Sequence, residues 1–378
     1  MHFSSGKISR RILVAPFVLV VVFAAANSAL AQTETVLCSF GLQAGQGATP
    51  WDSLILDQKG NFYGTTEQGG ANGLGTVFRL SPPATKRGVW TETVLYSFGS
   101  QSGDGVNPYD SLIVDKEGNL YGTTYSGGAN NVGTVFELSP EKGGVWTETV
   151  LYRFGGTPND GSLPYAGLIM DKKGNLYGTT TGGGAYSFGT VFKLSPKKGG
   201  VWTETVLYSF GSQSDDGVNP YGVLIMDKKG DLYGTTTGGG AYVYGEVFKL
   251  SPPAGESSVW TEKVLYSFGS YSIDGAYAFD GLIMDTVGNL YGTTAGGGKY
   301  SFGTVFQMSP PAGKGTAWTE KVLYSFGRQT STGEEPWDSL IMDKEGNLYG
   351  TTTEGGATTH CDYGCGTVFK LSPEKGGM

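Results

Sequence analysis

The sequence predicts an all-β fold, a six-bladed β-propeller with four antiparallel strands in each blade. The first observation is a repeat, because Tyr-Gly-Thr-Thr begins at positions 63, 121, 177, 233, 291 and 349, at spacings of 56 or 58 residues. The second is that every unit has the residue pattern of short strands and tight turns. The third is that the incomplete first and last units complement each other. A unit of this length cannot bury its apolar face alone, so neighbouring units must stack.

Each unit contains four predicted strands, and the second unit serves as the example. Its strands are predicted over residues 110–115, 119–124, 133–138 and 146–154. Val, Ile, Thr, Tyr, Phe and Trp dominate these runs, and Gly, Pro, Asn and Asp separate them, which is typical of strands and turns. Helical periodicity is absent after the first 31 residues. The six units span about residues 33–90, 91–146, 147–202, 203–260, 261–318 and 319–378.

The motif Asp-x-x-Gly-Asn separates the first two strands of each unit, with Asp231 in place of Asn in the fourth copy. A side-chain acceptor at the first turn position and a Gly that tolerates positive φ predict a tight hairpin. One carboxylate per turn falls short of the roughly six to eight oxygens that calcium needs. We therefore interpret these Asp residues as turn formers and predict no metal site.

The two ends of the chain predict how the ring closes. The last unit stops after Gly366–Leu371 and lacks its fourth strand, while Thr33–Phe40 has the pattern of a fourth strand with no unit before it. We expect the N-terminal strand to become the outermost strand of the sixth blade. This arrangement would close the ring and leave no blade interface open to water.

The first 31 residues have the pattern of an export signal. Lys7, Arg10 and Arg11 precede an apolar run over residues 12–26, and Ala29-Leu30-Ala31 is typical of a cleavage site. The run is shorter than the roughly 20 residues that span a bilayer, so we expect cleavage after Ala31 and no membrane span afterwards. The sequence thus predicts a secreted or periplasmic protein, with residues 32–378 forming one propeller domain.

Charge narrows the class of partner. Removing residues 1–31 takes away three basic residues and no acidic one, which leaves a formal charge of −11. Nucleic acid and anionic lipid are poor partners for such a chain. We expect a monomer with no cofactor, and a glycan or a cell-surface protein as its partner.

Two of the three cysteines, Cys361 and Cys365, lie in a loop insertion that only the sixth unit has. A disulfide between them is one interpretation after export, and two free thiols is the other. Only His360 lies nearby, which leaves a zinc site short of ligands.

The units resemble the Gloeo-Verruco (GloVer) tandem repeat. The second unit carries the consensus elements Leu112-Ile113-x-Asp115, Gly118-Asn119-Leu120-Tyr121-Gly-Thr-Thr, a Gly-Gly loop and Gly133-Thr-Val-Phe-x-Leu-Ser-Pro140. The resemblance covers Thr33 to the C-terminus and implies an exported bacterial protein of undefined activity. The same strand pair is similar to the inner strands of NHL-type propellers, which supports a propeller by analogy.

An aromatic residue precedes the first strand of every unit. The six are Trp51, Tyr109, Tyr165, Tyr221, Phe279 and Trp337, and Asp52, Asp110, Asp280 and Asp338 follow four of them. In a closed ring they would surround one mouth of the central channel. Aromatic faces with interspersed carboxylates suit sugars, which stack on rings and donate hydroxyl protons. The alternative is that the six rings are core residues between blades.

The loops between the second and third strands differ among the units. Units three to five carry aromatic residues there, namely Tyr186, Phe188, Tyr242, Tyr244, Tyr300 and Phe302. One interpretation is a surface for an extended ligand or a partner. The other is that these residues pack to close their own loops.

The sequence favours a binding protein over an enzyme. His360 is the sole candidate base for nucleophilic catalysis, and it lies in a loop unique to one unit. Asp338 and Glu335 are weak candidates for a catalytic carboxylate pair. Our leading hypothesis is a non-catalytic exported propeller that binds a carbohydrate or a protein. The alternatives are a glycan-cleaving hydrolase or lyase that uses rim carboxylates, and a structural repeat protein with no ligand.

Overall fold

We analysed the protein as a computed structural model that describes residues 36–51, 53–85, 88–254, 259–313, 317–327, 332–356 and 365–373. The chain divides into two units, Met1–Leu37 and Cys38–Met378. Every strand lies in the second unit. Among the described residues, no helix has the length and apolarity needed to cross a membrane.

The strands within Cys38–Met378 form an all-β propeller of six blades, as the sequence predicted. Five blades are four-stranded antiparallel sheets, and the described part of the sixth has three strands. Blade 1 comprises Ile55–Leu56, Phe62–Thr66, Thr76–Ser81 and Thr91–Ser97. Blade 2 comprises Ile113–Val114, Leu120–Thr124, Thr134–Pro140 and Trp146–Arg153. Blade 3 comprises Ile169–Met170, Leu176–Thr180, Thr190–Pro196 and Trp202–Ser209. Blade 4 comprises Ile225–Met226, Leu232–Thr236, Glu246–Ser251 and Thr261–Ser267. Blade 5 comprises Ile283–Met284, Leu290–Thr294, Thr304–Ser309 and Thr319–Ser325. Blade 6 comprises Ile341–Met342, Leu348–Thr352 and Thr367–Leu371.

A small two-stranded antiparallel sheet accompanies each blade, and the sequence did not predict it. The pairs are Gly47–Ala48 with Gln68–Gly69, Gly105–Val106 with Ser126–Gly127, Gly161–Ser162 with Gly182–Gly183, Gly217–Val218 with Gly238–Gly239, Gly275–Ala276 with Gly296–Gly297, and Gly333–Glu334 with Glu354–Gly355. Gly127 shows why glycine is needed. Its φ is 84°, and a Cβ there would lie 2.5 Å from the Asp104 carbonyl oxygen.

The Asp-x-x-Gly-Asn motifs form the predicted turns. In blade 3, Asp171 Oδ1 accepts hydrogen bonds from the N–H groups of Lys173 and Asn175 at 2.8 and 2.9 Å. Its Oδ2 accepts from Asn175 Nδ2 at 2.7 Å and from the Tyr177 hydroxyl at 3.2 Å. All four acceptor positions of the carboxylate therefore serve the turn, which explains why the residue recurs in every unit.

We expect Asp171→Ala to lower the free energy of unfolding by about 1–3 kcal/mol, because several donors lose their acceptor. Burial alone would raise the pKa of Asp171, but hydrogen bonds from Asn175 and the turn N–H groups outweigh it and hold the pKa below 3.8. Since the folded pKa is depressed, this stability is present above pH about 4 and is lost as the pH falls through the folded value. Urea unfolding at neutral and acidic pH measures the difference. Lys172→Ala, an exposed change in the same turn, is the control and should change little.

The core lies between the blades. Each of five hydrophobic clusters joins one blade to the next. At each interface a Phe that follows one blade's fourth strand packs on a Phe of the next blade's third strand, with ring centroids 5.1 Å apart. The pairs are Phe98–Phe136, Phe154–Phe192, Phe210–Phe248, Phe268–Phe306 and Phe326–Phe369. Four tryptophans at or directly before the start of a fourth strand pack against these clusters, namely Trp146, Trp202, Trp260 and Trp318.

The boundary between blades 6 and 1 differs from the other five. Val368 is 82% exposed and Ile341 is 69% exposed, whereas the residues equivalent to Val368 in the other blades are fully buried. Phe40 nevertheless packs on Phe78 of blade 1 at 4.9 Å, in the manner of the other interface pairs. Residues 33–35 lie outside the described residues, and residues 36–40 are not in a strand. The predicted closing strand Thr33–Phe40 therefore stays a prediction.

A Tyr-Asp-Glu group, which we call the acidic clasp, recurs at four blade interfaces. In one example the Tyr152 hydroxyl donates to Asp160 Oδ2 at 2.9 Å. Asp160 Oδ1 and Glu204 Oε1 have no hydrogen-bond partner among the described residues. Burial, and after it the charge of Asp160, raises the pKa of Glu204 to about 7. The other clasps are Tyr96–Asp104–Glu148, Tyr208–Asp216–Glu262 and Tyr266–Asp274–Glu320.

Candidate functional site

The six aromatic residues that precede the first strands line one cavity of about 510 Å³. The other lining residues are Asp110, Asp280, Asp338, Thr351 and Thr353. Asp52 lies outside the described residues. Each aromatic side chain is at least partly exposed, so none is a buried core residue. The sequence analysis left a core position and a cavity position open, and the structure places all six at the cavity.

Five of the six rings form a continuous arc. Tyr109 stacks on Tyr165 with centroids 5.1 Å apart, and the contact continues through Tyr221 and Phe279. Phe279 stacks on Trp337 at 4.4 Å with an interplanar angle of 6°. Each ring of the arc is thus in contact with the next one. Trp337 ends the arc and is 44% exposed, so it offers a face to the cavity.

Trp51 is the sixth aromatic residue, and a carboxylate holds it. Its indole N–H donates to Glu67 Oε2 at 2.7 Å, and the Tyr109 hydroxyl donates to Glu67 Oε1 at 3.0 Å. Burial, and after it the Glu67 carboxylate, raises the pKa of Tyr109 to about 12. Trp51 is 61% exposed. Glu67 therefore orients an indole whose ring remains accessible.

The sequence analysis missed Glu67. The residue directly after Tyr-Gly-Thr-Thr is Glu67 in unit 1 and Tyr125, Thr181, Thr237, Ala295 and Thr353 in the others. A comparison of this one position across the six units would have singled out the carboxylate.

The cavity aspartates are anchored on the backbone. Asp110 Oδ1 accepts from the N–H of Ser111 at 2.5 Å, and its Oδ2 accepts from the Gly167 N–H of the next blade. Asp280 Oδ1 accepts from the following N–H at 2.5 Å, and Asp338 Oδ1 from its following N–H at 2.7 Å. Each of the three carboxylates therefore accepts the N–H group of the residue that follows it.

The weak catalytic candidates Asp338 and Glu335 both lie near Trp337. Asp338 lines the cavity, and Glu335 Oε2 accepts from the Trp337 indole N–H at 3.3 Å. The Glu335 backbone has a φ of 55°, and its carbonyl accepts from the Thr353 hydroxyl at 3.0 Å. Glu335 thus holds Trp337 as Glu67 holds Trp51.

The rim aromatic residues lie outside the cavity lining. Phe188, Tyr244 and Phe302 cover the glycines Gly211, Gly269 and Gly327, and Leu74 and Val132 cover the equivalent glycines in units one and two. These residues close their own loops. Tyr186 and Tyr242 are exposed, and Tyr300 is half-buried beneath the Lys299 ammonium. Because Tyr186 and Tyr242 are exposed, a partner surface at these residues stays a hypothesis.

Cys38 and Cys365 do not line this cavity. Cys38 is a free thiol and Cys365 is disulfide-bonded. Cys361, the partner that the sequence predicts for Cys365, lies outside the described residues. Within those residues, no group of three or more His, Cys, Asp or Glu side chains is arranged to hold a metal ion.

Known proteins resemble this chain in repeat sequence and in fold. A family model described as the Gloeobacter/Verrucomicrobia repeat matches residues 21–214 and 202–319. An ancestral GH74 enzyme has a TM-score of 0.54 at 11% identity; the match covers 85% of this chain and 41% of that enzyme. A protein assigned as a 6-phosphogluconolactonase from Bacteroides uniformis ATCC 8492 has a TM-score of 0.50 at 12% identity, covering 87% of this chain and 90% of the other. No curated protein sequence matches the chain. At these identities the structural likenesses show a shared fold alone.

Proposed function

Because this chain belongs to the Gloeobacter/Verrucomicrobia repeat family and folds as a propeller, we propose that it is an exported, non-catalytic protein that binds a carbohydrate in its aromatic cavity. The sequence pattern of an export signal over residues 1–31 supports a location in the periplasm or outside the cell. The observation that carries the binding proposal is the pair of exposed indoles, Trp51 and Trp337, on one cavity with backbone-anchored carboxylates.

The chemistry of this pair fits a sugar ring. The C–H face of a pyranose packs on an indole face, while its hydroxyls donate to carboxylate oxygens. Glu67 and Glu335 hold the two indoles through their N–H groups, so less side-chain entropy is lost when a ligand binds. The side chains of Trp51 and Trp337 are therefore oriented before the ligand binds.

We expect the double variant Trp51→Ala and Trp337→Ala to bind glycans at least about tenfold more weakly, because it removes both exposed stacking faces. A glycan array identifies the ligand, and calorimetry on the full chain measures its affinity. Tyr186→Ala is the matched control, since it removes an exposed aromatic ring outside the cavity.

Two results would contradict the proposal. One is the absence of any bound glycan across the array, and the other is an unchanged affinity in the double variant. Release of reducing ends from the bound glycan, abolished in Asp338→Asn, would instead establish the glycan-cleaving alternative. Capture of a protein without a glycan would establish the protein-binding alternative.

A further inference from the structure

We infer that the cavity selects glycans that carry amino groups, such as glucosamine oligomers, over neutral and acidic glycans. This inference rests on the proposed carbohydrate function and narrows it to one class of sugar. The hydrogen-bonding groups that the cavity leaves for a ligand determine which sugars it can bind.

The lining is acidic and carries no basic side chain. Of the described residues around the cavity, Asp110, Asp280 and Asp338 carry carboxylates, and none is Lys, Arg or His. Two further carboxylates, Glu67 and Glu335, lie at the N–H edges of the indoles of Trp51 and Trp337. An anionic sugar would bring its charge among these groups without a cation to oppose it.

The hydrogen-bond donors at the two exposed indoles are already engaged. Glu67 accepts hydrogen bonds from the Trp51 indole N–H and the Tyr109 hydroxyl. Glu335 accepts one from the Trp337 indole N–H. The Thr353 hydroxyl donates to the Glu335 carbonyl. This side of the cavity therefore offers a ligand acceptor oxygens and π-faces, with the Thr351 hydroxyl as a neutral group in the lining.

Carboxylate acceptors and aromatic π-faces both favour a cationic group on the ligand. Carboxylates form their strongest hydrogen bonds with cationic donors, and an aromatic face attracts a cation through its quadrupole. An ammonium group on a sugar satisfies both, while the pyranose ring still stacks on an indole. An acetylated amino group loses the charge and most of this advantage.

The test compares three glycan hexamers that are cationic, neutral and anionic. Calorimetry at about pH 5.5, where an amino group is protonated, is run with a glucosamine hexamer, an N-acetylglucosamine hexamer and a galacturonate hexamer. We expect the glucosamine hexamer to bind at least about tenfold more tightly than the acetylated one, and this advantage to shrink as salt rises. We expect no binding of the galacturonate hexamer.

Two variants that each remove one carboxylate charge test whether the preference for the glucosamine hexamer arises in the cavity. Asp338→Asn keeps the Oδ1 acceptor for Ser339 but removes the charge, so it should weaken the glucosamine hexamer about tenfold and the acetylated one by less than about threefold. Glu345→Gln makes the same charge change in the exposed turn at the other end of the blade's first strand, and should leave both affinities unchanged.

Equal binding of the two amino-sugar hexamers, or binding of the galacturonate hexamer, would overturn the inference while leaving the carbohydrate proposal intact. A protein that binds none of the three hexamers and no glycan on the array would overturn both.

Discussion

Glu246→Thr should stabilise the propeller by about 1–3 kcal/mol, because the native residue is a buried acid without hydrogen bonds. Glu246 is 0% exposed, and neither carboxyl oxygen has a partner among the described residues. The other five blades carry a Thr at this position, and its hydroxyl pairs with a second Thr, as Thr180 and Thr190 do at 2.8 Å. Urea unfolding of the full chain at several pH values measures the gain.

The gain should depend on pH. Burial, and then the charges of Glu262, Asp216 and Asp215, raise the pKa of Glu246 to about 9, although the nearby Gly217 N–H acts in the opposite direction. Since the folded pKa lies above the unfolded value of 4.5, the native state loses stability as the pH rises from about 4.5 through about 9. Glu246→Thr removes this part of the pH dependence, so its advantage should grow toward alkaline pH.

Thr190→Glu in blade 3 is the matched control, because it creates the same buried acid in an equivalent position. It should destabilise the protein by a similar amount and add the same pH dependence. A Glu246→Thr variant that is no more stable than the native chain at pH about 9 would refute this explanation.

Phe192→Ala should destabilise the protein by about 3–5 kcal/mol, since it empties a fully buried position between blades 2 and 3. Phe192 contacts Phe154 at 5.1 Å, and both rings are 0% exposed. The equivalent Phe369 of blade 6 is half-buried. Phe369→Ala should therefore cost distinctly less, and parallel urea unfolding curves compare the two variants.

The same pair of variants tests the predicted closing strand. If Thr33–Phe40 covers blade 6 in solution, Phe369 becomes a core residue like Phe192. The two substitutions would then cost the same, because the strand would also cover Val368 and Ile341.

The fold was predictable because strand residues and turn residues recur at a fixed period. The meeting of the six aromatic residues around one axis was predictable for the same reason, but whether they form a cavity or a core was not. The predicted first strands were too long: only Ile113–Val114 pairs within blade 2, because the Asp110 carbonyl instead accepts from Thr65 of blade 1. Contacts between units of this kind leave no mark in the pattern of a single unit.

Other features escaped prediction for different physical reasons. The small two-stranded sheets are built largely from glycine, which has no side chain and hence no apolar alternation to detect. Glu67 and Glu246 each occur in one unit only, and a single residue produces no periodic signal. Their importance depends on what surrounds them in space.

The acidic clasps change how the charge of this molecule should be counted. A formal charge of −8 treats every carboxyl group as ionised at neutral pH. Burial raises the pKa of Glu148, Glu204, Glu262 and Glu320 to about 7 each, so a good share of these groups keep their protons when folded. The native molecule is thus less anionic than its unfolded chain, and it releases protons to the solvent when it denatures near neutrality.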